Sequence, residues 1–209
     1  MNIEKNNKII IISSPSGAGK TTICKYLLKK NKNLTLSVSY TSRNIRNNEK
    51  NGRDYYFVSR SKFLNLKKNE FFIETAEVFK NYYGSPYKNI KYAFNKNKHI
   101  LFDIDWQGAR KLRKKYKKDQ IIDFFILPPS IQELKKRLIK RGRDNKEEIK
   151  LRLSLAIKEM QHFKEYNYII INENIQKTVS SLTKIINYHE FITDNNKLLT
   201  KKLKTLVQK

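Results

Sequence analysis

The chain has 209 residues, of which 45 are Lys or Arg and 19 are Asp or Glu, giving a formal net charge of +26. Its single cysteine excludes a disulfide framework within the chain, and its length suits one folded unit with inserted subdomains. It contains no apolar run near the ~20 residues of a membrane helix and no secretory signal pattern, so we expect a cytoplasmic protein without a membrane partner.

Lysines are spread along the whole chain, as at Lys29, Lys67 and Lys114, rather than gathered in one basic arm. A strongly basic chain attracts polyanions, and nucleic acid is the first candidate partner to consider. Dispersed charge is more typical of solvated surfaces, and the sequence has neither an aromatic-rich RNA-binding motif nor a zinc ligand set. We therefore predict no specific nucleic-acid partner and expect the charge to steer small anionic ligands.

The first predicted element is a buried strand over 8–13, because its continuous β-branched run suits a parallel sheet covered on both faces. A turn follows, and then a helix over 20–30. Further buried strands are predicted over 99–105, 120–127 and 168–172, with helical segments between them. This alternation predicts an α/β fold with a parallel sheet core flanked by helices.

A glycine-rich segment joins the first strand to the first helix. It comprises Ser14, Pro15, Ser16, Gly17, Ala18, Gly19, Lys20, Thr21 and Thr22. The segment matches a P-loop, except that Ser14 stands where the general pattern has glycine. The glycines let backbone N–H groups point inward at phosphate oxygens. Lys20 is expected to reach the β- and γ-phosphates, and the Thr21 hydroxyl to ligate Mg²⁺. The pattern predicts a nucleoside triphosphate site, which alone leaves many functions open.

Two carboxylates, Asp103 and Asp105, end the strand predicted over 99–105. Strand side chains repeat every second residue, so both are expected to face the same side. P-loop proteins place the carboxylate that orients Mg²⁺ at such a strand end, whereas the alternative is simple turn chemistry. We predict a metal site formed by Thr21 and Asp103.

The segment 36–92 departs from the strand–helix rhythm and carries aromatic residues among short β-like pieces, which indicates an inserted subdomain of mixed α/β structure. Within it, Arg43 and Arg46 are spaced to close on one phosphate group. Guanidinium suits this role because it stays charged and binds phosphate through paired hydrogen bonds. The pair predicts a second anion site facing the first.

At this point the sequence resembles the guanylate kinase family, in order and spacing, from about residue 8 to residue 174. The segments that carry the resemblance are 37–39, 43–46, 51–55, 72–74, 81–85 and 103–108. The resemblance implies that the GMP phosphate is held by Arg43, Arg46, Tyr55 and Tyr83. It implies that the remaining GMP-binding residues, most of which read the guanine, are Ser39, Glu74, Ser85, Asp103 and Asp105.

The chemistry of Glu74 agrees with that assignment. Guanine presents N1–H and the 2-amino group as adjacent donors, and one carboxylate accepts from both. AMP has no such pair and would leave Glu74 buried and unpaired, at a large cost in binding. The motifs assign no residue to the ribose 2′ position, so dGMP is expected to be an acceptor as well. Of the two neighbouring tyrosines, Tyr82 is assigned to packing and Tyr83 to phosphate.

The helical segment 130–160 is interrupted at Gly142 and resembles the lid of the same family. Arg137, Arg141 and Arg152 match the lid arginines, and Asn172 matches an adenine-side contact. The loop at 142–148 is less acidic than is usual in the family, and Arg137 has the alternative of being a solvated helix residue. The final segment, 193–209, is predicted to be a basic, frayed helix.

These features predict a P-loop nucleoside monophosphate kinase fold that moves the γ-phosphoryl group of ATP onto GMP. The expected divisions are core at 1–37, GMP-binding subdomain at 38–92, core at 93–129, lid at 130–160, and core with the C-terminal helix at 161–209. GMP already carries a nucleophilic oxygen near neutral pH, since the second pKa of a phosphate monoester is ~6, so no general base is expected. Charge neutralisation is assigned to Mg²⁺ with Lys20, Arg46, Arg141 and Arg152.

Two alternatives remain at this point. One is a catalytically silent, guanylate-kinase-like module that binds protein partners, and the other is a P-loop protein that acts on nucleic acid. The intact Gly19, Lys20 and Thr21 favour the enzyme. The sequence does not distinguish a monomer from a homo-oligomer.

Overall fold

The computed structural model describes residues 7–140 and 145–207. Its helices and strands in chain order are β1 (Ile9–Ser13), α1 (Lys20–Lys30), β2 (Leu34–Leu36), β3 (Tyr40–Thr41), β4 (Tyr56–Phe57), α2 (Arg60–Lys68), β5 (Phe72–Val78), β6 (Asn81–Pro86), α3 (Tyr87–Asn95), β7 (His99–Asp103), α4 (Trp106–Lys115), β8 (Ile121–Leu127), α5 (Ile131–Lys140), α6 (Lys146–Met160), β9 (Tyr168–Ile171) and α7 (Ile175–Val207).

A five-stranded parallel sheet forms the core, in the order β2-β7-β1-β8-β9. All five residues of β1 are buried, as its β-branched run predicts for a central strand covered on both faces. The α/β fold with a parallel core is thereby confirmed. Strand β2 is the core strand that the sequence did not reveal, because three residues are too few to show a periodic pattern.

The parallel arrangement brings the carboxyl ends of neighbouring strands together, where ligands bind in open α/β sheets. Ile12 of β1 pairs with Asp103 of β7, so the segment after β1 starts beside the last residue of β7. The prediction of one extended strand over 99–105 was wrong at its end. The strand stops at Asp103, and Asp105 instead caps the N-terminus of α4, its Oδ1 accepting from the Gly108 backbone N–H at 2.9 Å.

The inserted segment forms a second sheet, in the order β4-β3-β6-β5, with α2 packed against it. Its small core is aromatic: the ring of Phe63 stacks on that of Phe72 at 4.7 Å and on that of Tyr82 at 5.5 Å. Tyr82 therefore packs as expected, and its hydroxyl also accepts a hydrogen bond from Arg60 at 2.8 Å.

Helices α5 and α6 correspond to the segment predicted as two helices joined by a loop. Asn145 caps α6, and its Oδ1 accepts from the Glu148 N–H at 2.8 Å in a capping box. A small apolar cluster of Leu134, Leu138 and Ala156 joins the two helices. Gly142, where the interruption was predicted, lies outside the described residues, as does Arg141.

The last helix, α7, runs unbroken from Ile175 to Val207, so the tail predicted as a basic, frayed helix is the continuation of a core helix. Its first half buries Val179, Leu182 and Ile186 against the sheet, whereas Phe191 beyond them is 67% exposed. Among the described residues, no helix is both long and apolar enough to cross a lipid bilayer.

Candidate active site

The P-loop leaves β1 and turns into α1 with two glycines in left-handed conformation, Gly17 at φ 97° and Gly19 at φ 100°. A Cβ on Gly17 would lie 2.7 Å from Leu134, and one on Gly19 would lie 2.8 Å from the Asn172 side-chain nitrogen. The glycines are therefore needed both for the backbone conformation and for the close approach of α5 and of the segment after β9.

Asn172 and Arg137, both predicted to bind ATP, contact the backbone of the P-loop. The Asn172 amide donates to the Ala18 carbonyl at 2.8 Å and accepts from the Thr178 hydroxyl at 3.1 Å. Arg137 donates to the Asn172 carbonyl at 3.1 Å and to the Ala18 carbonyl at 3.5 Å. Asn172 is only 2% exposed, so its side chain tethers the P-loop at the edge of a groove. That groove is lined by Gly17, Gly19, Thr22, Tyr26, Arg137, Lys140, Asn172, Glu173, Asn174, Ile175 and Gln176.

Lys20, the first residue of α1, reaches across to the end of β7. Its ammonium donates to the Asp103 carboxylate and, at 3.3 Å, to the Ile104 carbonyl. Burial opposes its charge, but the neighbouring Asp103 carboxylate raises the pKa of Lys20 above its ordinary value. The lysine is therefore charged at neutral pH and points toward the place where β1 and β7 end.

The residues predicted to hold Mg²⁺ offer hard oxygen ligands, the exposed Thr21 hydroxyl at the start of α1 and the Asp103 carboxylate beside Lys20. No group of three or more His, Cys, Asp or Glu side chains suited to a metal occurs in the described parts of the chain. A sparse donor set fits Mg²⁺ that arrives with a nucleotide, because phosphate oxygens and water complete its shell.

A cavity extends from the P-loop to the inserted sheet. Its lining is formed by Ser14, Ser16, Lys20, Ser39, Arg46, Tyr55, Glu74, Ala76, Val78, Phe79, Tyr83, Asp103, Ile104, Asp105, Arg152 and Glu159. Seven of the nine residues predicted to bind GMP thus line one space, together with the P-loop residues Ser14, Ser16 and Lys20. Ser85 lies behind this lining, in contact with Glu74 and Ser39, and Arg43 lines a neighbouring cavity. Asp105 does line the cavity, although as a helix cap rather than a strand residue.

At the far end of this cavity, Glu74 of β5 and Ser85 of β6 form a cross-strand pair. The Ser85 hydroxyl donates to Glu74 Oε1 at 2.6 Å and lies 2.9 Å from the Ser39 hydroxyl. Since the proton of Ser85 goes to Glu74, Ser39 must donate to Ser85. Burial raises the pKa of the Glu74 carboxyl to about 7, with the Ser85 hydrogen bond acting in the opposite direction. The chain of hydroxyls fixes one carboxylate oxygen and leaves Glu74 Oε2 for a ligand.

Gly108 sets the position of that carboxylate, a role that the sequence did not suggest. A Cβ at Gly108 would lie 2.5 Å from Glu74 Oε2. Helix α4 approaches Glu74 this closely only because residue 108 lacks a side chain.

We therefore expect Gly108→Ala to displace the Glu74 carboxylate. This should lower kcat/KM for a guanine nucleotide by about 10- to 100-fold, because displacing a binding group by about 1 Å has an effect of this size. Alanine favours a helix over glycine by ~1 kcal/mol, so the fold should be retained. Steady-state kinetics and thermal unfolding test this, with Lys114→Ala on the exposed face of α4 as the matched control. Unchanged kinetics in Gly108→Ala would contradict the close approach.

Arg43 and Arg46 were predicted to close together on one phosphate, and the structure shows a different arrangement for Arg43. Its guanidinium makes a paired contact with Glu49, at 2.8 Å and 2.6 Å, and lies 5.1 Å from the Tyr55 ring centre. Glu49 also accepts from the Arg46 backbone N–H at 2.9 Å. Glu49 was missed, although a single carboxylate between Arg43 and Arg53 was a usable signal. The pair holds Arg43 in place, while Arg46 lines the open cavity.

Tyr55 and Tyr83 lie edge to face beside the two arginines, with ring centres 5.9 Å apart. On the opposite side, the guanidinium of Arg152 on α6 lies 5.5 Å from the centre of the Phe79 ring. From the same helix, Glu159 Oε2 accepts a hydrogen bond at 3.0 Å from the backbone N–H of Ser16. Phe79 and Glu159 are further site residues that no local sequence pattern indicated.

Comparison with known proteins gives a consistent result. The sequence profile described as guanylate kinase matches residues 6–189. The chain is 44% identical over 186 residues to a guanylate kinase of Rickettsia felis, covering 89% of this chain and 96% of that one. It is also 44% identical over 186 residues to a guanylate kinase of Anaplasma phagocytophilum, covering 88% of each.

The crystal structure of guanylate kinase from Anaplasma phagocytophilum superposes with a TM-score of 0.74 at 38% identity, covering 88% of this chain and 86% of that one. The matched residues include the P-loop, the inserted sheet and α6, all of which contribute side chains to the lining of the cavity. On these grounds the chain belongs to the guanylate kinase family.

Proposed function

We propose that the chain catalyses the Mg²⁺-dependent transfer of the γ-phosphoryl group of ATP to GMP or dGMP, giving ADP and GDP or dGDP. One observation carries this proposal: a single cavity is lined both by Lys20 of the P-loop and by the buried carboxylate of Glu74. Its two ends match two different nucleotides, one by its phosphates and the other by its base.

On the donor side, the backbone N–H groups of the P-loop and the Lys20 ammonium bind the phosphates of ATP. The groove beside Arg137 and Asn172 receives the adenine end. Arg137 contributes to ATP binding there in two ways. Its positive charge attracts the nucleotide, and its hydrogen bonds hold the backbone carbonyls of Ala18 and Asn172 in place. Thr21 and Asp103 would hold the Mg²⁺ that arrives with ATP, which would supply charge neutralisation at the phosphate oxygens.

On the acceptor side, Glu74 accepts from N1–H and the 2-amino group of guanine, and Ser39 and Ser85 hold Glu74 in its ionised, receiving position. Asp105 lies beside the same base, oriented by the Gly108 and Gln107 donors at 2.9 Å each. Arg46, Tyr55 and Tyr83 hold the GMP phosphate, and Arg43 supports them from its pair with Glu49.

The residues of this chain then act by alignment and by charge. GMP supplies its own nucleophilic oxygen near neutral pH, so none of these carboxylates has to remove a proton. Lys20, Arg46 and Arg152 present positive charge around the region where the two nucleotides meet. Arg141, outside the described residues, is proposed for the same task from the family pattern.

The protein-binding module and the nucleic-acid enzyme are not favoured by this site. A silent module has no need of the Lys20–Asp103 contact, and a nucleic-acid enzyme has no need of a closed guanine-reading carboxylate. The test measures ADP release with ATP and Mg²⁺ and with GMP, dGMP, AMP, CMP or UMP as acceptor. Turnover confined to the guanine nucleotides is expected, and the absence of turnover with every acceptor would overturn the proposal.

A dependence on pH follows from the raised pKa of Glu74. Guanine binds the ionised carboxylate, so binding releases a proton and strengthens as pH rises through about 7. We expect the protonation of Glu74 alone to lower kcat/KM for GMP by about tenfold for each pH unit below that value. Titration of the GMP phosphate adds a second step near ~6, which Glu74→Gln retains while losing the step near 7. A profile that is identical in the parent and in Glu74→Gln would contradict this assignment.

A further inference from the structure

Helix α6 touches both sides of the cavity through one face. Glu159 Oε2 accepts from the Ser16 N–H of the P-loop at 3.0 Å, and Arg152 stacks over Phe79 at 5.5 Å from the ring centre. Residues 152 and 159 are seven positions apart, which is close to two helical turns, so their side chains lie on the same face. Between them, Ala156 is buried against α5. The helix therefore links the donor side to the inserted sheet.

The contact at Phe79 lies at the tip of the β5–β6 hairpin. Phe79 and Lys80 form the two-residue turn with φ values of 49° and 61°, a left-handed conformation uncommon for residues with a side chain. Two-residue turns of this kind match the twist of the two strands that they join. The turn holds the aromatic ring of Phe79 against the guanidinium of Arg152. The ring therefore blocks movement of the Arg152 side chain on that side.

The contact at Glu159 is chemically unexpected in a site that binds polyphosphates, since a carboxylate repels them. The side chain is half-buried, and burial raises its pKa, with the Ser16 N–H acting in the opposite direction. The Glu159 carboxylate does accept a hydrogen bond from the Ser16 backbone N–H of the P-loop. Such a charge-assisted bond fixes the distance between a side chain on a helix and the loop backbone. The bond joins residues 143 positions apart, so it ties α6 directly to the loop.

We propose that Glu159 is a positioning residue, whose bond to the Ser16 N–H holds α6 against the P-loop and thereby places Arg152 over the point where the nucleotides meet. The inference rests on the proposed phosphoryl transfer and on the role proposed for Arg152. Glu159 touches no reacting atom, and its effect on the reaction passes through the helix.

The test compares Glu159→Ala, Glu159→Asp and Glu159→Gln in the full chain, with ATP and GMP as substrates. Alanine removes the acceptor, and aspartate keeps the charge but is too short to reach Ser16, so both should lower kcat by up to about 100-fold. Glutamine keeps an acceptor oxygen at the same length, so it should stay within about threefold of the parent. KM for GMP should change little in all three, since Glu74 and its hydroxyls are untouched. Glu147→Ala, an exposed carboxylate on the same helix, is the matched control.

A double-mutant cycle with Arg152→Ala separates positioning from a general structural role. Coupled residues lose their effect in each other's absence, so Glu159→Ala should cost no more than about threefold once Arg152 is gone. An equal cost in both backgrounds, or a loss in Glu159→Gln as large as in Glu159→Ala, would overturn the inference. Should Glu159→Ala fail to fold by circular dichroism, Glu159→Asp takes its place in the cycle. An inactive parent would instead overturn the proposed function.

Discussion

Replacing Glu74 by glutamine should lower kcat/KM for GMP by about 10²- to 10³-fold. The glutamine amide has one acceptor group and one donor group, whereas guanine presents two donors. The amide donor therefore faces a guanine donor in a buried site, and neither has an acceptor. Glu74 is only 3% exposed, and the Cβ-free Gly108 lies against it, so neither water nor a shift of the side chain can relieve the conflict. The measurement is steady-state kinetics with GMP and AMP in parallel. The ratio of kcat/KM for GMP to kcat/KM for AMP should fall.

Glu77→Gln is the matched control for this substitution. It lies on the same strand, β5, but faces the opposite, exposed side of the sheet. It should leave both acceptors unchanged. If Glu74→Gln retained GMP turnover within about threefold of the parent, the carboxylate would not be reading guanine.

Replacing Lys20 by methionine should lower kcat by about 10³-fold, the cost of removing one preorganised charged donor from a transition state in a site shielded from water. Methionine keeps the length and the apolar stem of lysine. The loss should fall mainly on kcat, because the backbone N–H groups of the P-loop continue to bind the donor phosphates in both ground state and transition state.

Lys29→Met is the control for charge on the same helix, since Lys29 is exposed in the last turn of α1. Thermal unfolding should accompany the kinetics, because Lys20→Met leaves the Asp103 carboxylate without its ammonium partner. Turnover within tenfold of the parent, in a folded variant, would remove Lys20 from the proposed chemistry.

Features with local causes were predictable from the sequence. The P-loop needs only a buried strand, a glycine-rich turn and a helix in succession, and each of these has its own residue pattern. Asp103 and Asp105 both line the cavity, but the predicted end of β7 was wrong. The turn into α4 also has a local cause, since Asp105 is an N-cap that accepts from the Gly108 N–H, and the prediction of an extended strand overlooked this signal.

Contacts between distant segments were the part that could not be predicted. Glu159 is the partner of Ser16, 143 positions away, and this ordinary surface-type residue acquires its role only through packing. Gly108 was visible as a motif residue, yet its distance from Glu74 depends on how α4 packs on β5. The packing of distant segments, rather than local propensity, decides both.

The tether between Asn172 and Ala18 has a consequence for biosynthesis. The P-loop is made among the first residues of the chain, yet its backbone is held by the side chain of Asn172, which is synthesised much later and is itself held by Thr178 on α7. A chain emerging from a ribosome therefore carries the complete phosphate-binding sequence long before it can hold that loop in shape. Contacts of such large sequence separation form late in folding. Nucleotide binding would thus report that translation has passed the last core strand.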